Sequence, residues 1–133
     1  MSKLTACSLF LAASLPSLAM AEPIALRCVY TQASFNAAYM SQAETRACPQ
    51  SRCFYDLRFD TESGTGSVNA VEGYALTIDD SRYQLDRQAK NVIVGGVDSA
   101  SFTVNRQDLR YSSIKSTPPG VSLETVGQCQ PVE

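Results

Sequence analysis

The chain has no histidine and no tryptophan among its 133 residues. Without histidine it lacks the most common general base, the most common metal ligand and every Ser-His or Cys-His nucleophile pair. Charge of one sign is also scarce, with eleven basic residues against thirteen acidic ones. No run of Lys or Arg tracks a phosphate backbone, so nucleic acid is not an expected partner. No basic amphipathic stretch points to a membrane surface, and no apolar run reaches the ~20 residues that span a bilayer. A membrane anchor is therefore not expected, and a monomer is the simplest state.

What is present begins with a leader. Lys3 supplies a short positive region, residues 4–18 are largely apolar, and Ala19-Met20-Ala21 matches the small-x-small pattern cut by signal peptidase. Cleavage after Ala21 is expected, with the product periplasmic or secreted. Leu4-Thr5-Ala6-Cys7 spells a lipobox, but it precedes the apolar core of the leader instead of following it, so lipidation of Cys7 is not expected. The expected organisation is a cleaved segment 1–21 and one domain over 22–133, carrying a net charge of −3.

That mature chain keeps Cys28, Cys48, Cys53 and Cys129, an even number in a small exported domain, which reads as two disulfides. Three pairings are possible. Cys48–Cys53 with Cys28–Cys129 is favoured, because it closes one short loop and leaves one cysteine near each mature terminus for the second bridge. The chain-entropy argument assigns ~2 kcal/mol to the short loop and ~4.7 kcal/mol to the long one.

Between the cysteines the dominant period is two. Ile24, Leu26, Cys28 and Tyr30 alternate with polar or smaller residues, and from Cys53 to Phe59 every odd position is apolar or aromatic. The same alternation recurs at Tyr74-Leu76-Ile78, Tyr83-Leu85, Phe102-Val104, Leu109-Tyr111 and Val121-Leu123. A partner strand begins at residues 67–71, Gly73 marks a bulge or bend, and Val92-Ile93-Val94 is a brief apolar run ended by Gly95-Gly96. Residues 34–45, with Phe35, Ala38 and Tyr39 at helical spacing after Ser34, predict one short helix. The fold class expected is all-β: an antiparallel meander of eight or nine short strands curled into a barrel or compact sandwich, since a Cys28–Cys129 bridge brings the first and last strands together.

Candidate chemistry is sparse. Asp79-Asp80 is an adjacent acid pair, but neighbours at a strand end face opposite ways, and Asp is favoured in turns. Asp60-Thr61-Glu62-Ser63-Gly64 has carboxylates spaced for calcium, yet Val71 stands where an EF-type loop needs its last acid, so no metal or other cofactor is expected. Cys48 and Cys53 have four residues between them, not the two of a thioredoxin-like site, and read as a structural clip. Arg58, Arg82, Arg87, Arg106 and Arg110 are candidates for an anion patch, against interspersed Asp80, Asp86 and Asp108. Tyr30, Tyr55, Tyr74, Tyr83 and Tyr111 share the apolar phase of their strands, as core aromatics or as a ligand-lined mouth.

In size, export and disulfide-tied β architecture the chain is similar to the bacterial periplasmic lysozyme inhibitors. Their Ser-Gly-x-x-Tyr-like loop is not reproduced, because Ser63-Gly64 is followed by Thr65, Gly66 and Ser67. The meander also resembles lipocalin-type carriers, without their Gly-x-Trp signature, so the chain is assigned to neither. The leading expectation is an exported, non-enzymatic binding module for a protein or small ligand, with inhibition of a secreted hydrolase as one form. Pro49-Gln50-Ser51-Arg52, inside the clipped loop, is the candidate partner-contact tip. A small-ligand carrier with a cavity in a lipocalin-like barrel is the alternative. A hydrolase using carboxylates such as Asp56, Asp60 and Asp80 comes third.

Overall fold

The structure, a computed structural model, describes residues 23–48 and 52–132. Its strands are β1 (Ile24–Ala37), β2 (Glu44–Ala47), β3 (Phe54–Asp60), β4 (Thr65–Val68), β5 (Val71–Ile78), β6 (Arg82–Lys90), β7 (Val97–Asn105), β8 (Arg110–Thr117) and β9 (Val121–Pro131). β1 and β3 to β9 form a closed eight-stranded antiparallel barrel, because β9 pairs back onto β1. β2 is an extra strand, hydrogen-bonded to β1 alone. Closure gives each of the eight barrel strands a hydrogen-bonded neighbour on both sides, which removes the long free edge of an open sheet.

The organising strand is β1. One of its edges faces β9 from Leu26 to Ala37, while the other faces β3 from Ile24 to Val29 and β2 from Gln32 to Phe35. β2 and β3 therefore lie end to end along one side of β1. At the join, the Tyr30 amide donates to the Cys53 carbonyl and the Cys48 amide donates to the Thr31 carbonyl. Consecutive β1 residues thus hold both ends of the Cys48–Cys53 bridge. The second bridge joins Cys28 and Cys129, directly opposite in the β1–β9 register and shut inside the barrel. Both favoured pairings hold.

The helix expected over residues 34–45 is not formed. β1 continues to Ala37, a turn follows at Ala38 and Tyr39, and β2 starts at Glu44. A helix of about ten residues is marginal by itself, whereas as strand this segment bonds on both edges, Phe35 pairing with Leu123 on one side and Glu44 on the other. The apolar run Val92-Ile93-Val94 is loop between β6 and β7, not strand. The bulge at Gly73 is present: φ is +95°, and the β4–β5 register slips between Gly66 and Val68.

Inward positions fill the barrel. Leu57, Phe59, Leu85, Phe102 and Val104 are almost wholly buried. Tyr55 and Phe102 meet edge to face with ring centres 4.9 Å apart, and Tyr74 reaches the same Phe102 ring. Such contacts add to the hydrophobic stabilisation of the area they bury. A bulge between Tyr30 and Gln32 shifts the phase of β1, so that Ala33, Phe35 and Ala37 take the inward side opposite Thr125, Leu123 and Val121.

Candidate functional site

Antiparallel topology sorts the connections to two ends. One end carries the turns at residues 61–64, 79–81 and 106–109; the other carries residues 38–43, 69–70, 91–96 and 118–120. At this second end three loops touch. Gly96 lies against Pro118 and Gly120 against Ala38, each so near that an added Cβ would meet its neighbour at 3.0 Å.

The β6–β7 loop is the most distinctive part of that end. Val92, Ile93 and Val94 are 88%, 89% and 58% exposed. The loop is nonetheless internally bonded: Asn91 Oδ1 accepts from the amides of Ile93 (3.1 Å) and Val94 (3.0 Å), and Asn91 Nδ2 donates to Asp98 Oδ1 (3.0 Å). The Gly95 amide donates to the Asn91 carbonyl, the Asn91 amide donates to the Gly96 carbonyl, and both glycines take positive φ. Side chains of this kind on a surface usually mark an interaction site, and a loop already held in shape loses little entropy on binding.

The same end carries a groove of about 620 Å³, lined by Ala33, Phe35, Tyr39, Met40, Glu44, Arg46 and Leu123. It occupies the inward side of the lip that β9, β1 and β2 extend beyond the barrel. Arg46 Nη2 donates to Glu44 Oε1 at 3.2 Å. Next to the groove, Lys115 is the β8 register partner of Leu123. Its ammonium sits 4.8 Å from the Tyr55 ring centre, and Tyr55 in turn stacks on Tyr30. Burial pulls the Lys115 pKa below the ordinary lysine value and pushes Tyr55 up to about 12, the neighbouring Tyr30 adding to the latter.

The residues expected from the sequence scatter. Of the proposed tip, Pro49, Gln50 and Ser51 lie outside the described residues, and Arg52 is exposed beside Cys53. Asp56 is held by Arg27, whose Nε and Nη2 donate to its two carboxylate oxygens at 2.8 and 3.0 Å. Asp60 Oδ1 accepts the Glu62 amide, and Asp79 Oδ1 accepts the Ser81 and Arg82 amides. These bonds hold the Asp79 carboxyl below the usual range, and they make both aspartates turn-formers. Asp80 is exposed in the same β5–β6 turn.

The five arginines do not converge as one set. Arg82 and Arg110 border one polar groove of about 380 Å³, each beside an aspartate, while Arg106 donates to the Asp79 carbonyl and lies over Tyr83. Arg87 donates to the Glu72 carbonyl instead, and Arg58 lies on β3 opposite Ala25 and Ser67. Of the tyrosines, Tyr55, Tyr74 and Tyr111 are core, while Tyr30 and Tyr83 are partly buried.

The Val92–Val94 tip escaped the sequence reading. Its signal was an aliphatic triplet too short for a strand, between an asparagine and a glycine pair. No family model, curated protein or solved structure matches this chain. Its two intramolecular disulfides belong to the chemistry of an oxidising compartment.

Proposed function

We propose that this protein is an exported, non-enzymatic binding domain that engages a protein partner through the loop end of its barrel, with inhibition of a secreted hydrolase as the concrete form. The observation that carries this reading is the Val92-Ile93-Val94 tip, aliphatic and solvent-exposed on a loop whose backbone is bonded internally. Nothing in the barrel is stabilised by that exposure, so burial against a partner is where those side chains contribute. The filled interior and the tying of Asp56 to Arg27 favour binding over carboxylate catalysis. The expected leader, with cleavage after Ala21, and the two disulfides support a location in the periplasm or outside the cell.

The test is a panel of purified secreted hydrolases, lysozymes and serine proteases included, assayed with the wild-type domain and with Val92→Asp and Ile93→Asp. Saturable inhibition of one enzyme is expected, with either aspartate weakening it by about a hundredfold, the loss typical of a buried hot spot. The unfolding midpoint should stay unchanged, because both positions are exposed. Undiminished inhibition by the variants would reject the tip, and an inactive panel would reject the hydrolase assignment.

A further inference from the structure

We infer that the groove on the β9–β1–β2 lip is a binding site for a small amphipathic monocarboxylate, its apolar body along Phe35 and Leu123 and its carboxylate toward Lys115. At about 620 Å³ the groove is in the ~300–1,000 Å³ range of small-molecule sites. Ala33 and Phe35 share a face with Leu123 of β9 only because the β1 bulge at Tyr30/Gln32 reverses the phase of that strand, turning the two inward above the filled core. Met40 and Tyr39 extend this apolar wall across the β1–β2 connection.

Charge selects the ligand. Within the groove, Arg46 and Glu44 satisfy each other across 3.2 Å, so the pair offers no net charge. Lys115 differs. Among the described residues no carboxylate lies within 4.0 Å of its ammonium, whose neighbour is the face of Tyr55. It follows Tyr111 and Ser113 on the inward side of β8, and cross-strand partners such as Lys115 and Leu123 have Cβ atoms about 4.5–5.5 Å apart. A half-buried cation without a counter-ion costs free energy that an apolar residue at the same position avoids. An anionic group paired with that ammonium removes the cost, and a neutral or cationic ligand does not. The hydroxyls beneath, Ser113 and Thr125, already bond each other, so the ammonium is the polar anchor of the site.

Decanoate, decanol and decyltrimethylammonium are matched probes, titrated below their micelle concentrations into the exported domain and followed by amide chemical shifts. Decanoate is expected to produce saturable shifts centred on Ala33, Phe35, Lys115 and Leu123, and to bind about tenfold or more tightly than decanol, the factor of a charge-assisted contact. Lys115→Gln should remove that advantage and leave decanol binding as it was. Equal binding of decanoate and decanol by the wild-type domain overturns the assignment without reference to any variant. So do shifts that fail to saturate or that centre away from the lip. Because the probes do not involve Val92 or Ile93, the outcome is independent of the hydrolase test.

Discussion

Three hydroxyls meet inside the barrel. Thr125 Oγ1 lies 2.6 Å from Ser113 Oγ and 3.0 Å from the Tyr111 hydroxyl, and all three residues are buried. Buried polar groups are tolerable because they satisfy one another, and removing the central member leaves two without that partner. Thr125→Val keeps the shape and is expected to destabilise the domain by about 1–3 kcal/mol in urea unfolding.

The ionisable residues of the interior set the alkaline limit. Burial raises the Tyr55 pKa from 10.0 to about 12 and also raises those of Tyr74 and Tyr111. A raised folded-state pKa favours the protonated form, so this stability is complete below pH 10.0 and is lost as pH climbs toward about 12. Lys115, with its lowered pKa, works in the opposite sense: the folded state disfavours its proton, so its contribution rises with pH up to 10.5. Phenolate absorbance followed with the unfolding midpoint should show part of the tyrosine signal appearing well above pH 10.0 together with the loss of stability, and Lys115→Met should remove the opposing rise.

Among the elements, β1 and β9 depend on a close approach. At Gly127, opposite Tyr30, any Cβ would collide with the Val29 carbonyl, although the backbone there needs no positive φ. Gly95 is the converse: nothing lies within 4 Å, but φ is +86°. Gly127→Ala is expected to cost about 3 kcal/mol or more through overpacking, and Gly95→Ala about 1–2 kcal/mol through the left-handed backbone alone. Unfolding midpoints of the two variants distinguish these causes. Period-two alternation made β3, β6, β7 and β8 readable from sequence, because each has one face on the core and one in water. The second half of β1 was not readable. Ser34, Asn36 and Ala37 carry weak local preference, and what makes the segment a strand is the pair of neighbours bonded along its two edges, one of them about ninety positions away.

At the scale of the molecule, the two bridges contribute unequally. Cys28–Cys129 closes the barrel across a sequence separation of 101, and Cys48–Cys53 spans 5. Replacing Cys28 and Cys129 with serine should cost about 4–5 kcal/mol, and replacing Cys48 and Cys53 about 2 kcal/mol, in equilibrium unfolding.

The class of the fold and both bridges were determined by the sequence alone, through alternation, an even cysteine count and the absence of histidine. Those are local or compositional properties that any chain displays before it folds. Which loops share an end, and therefore that Gly96 of the β6–β7 loop meets Pro118 while Gly120 meets Ala38, was decided only in three dimensions. Closure of β9 onto β1 and the one-residue bulge in β1 produce that juxtaposition, and both depend on contacts between residues far apart in the chain.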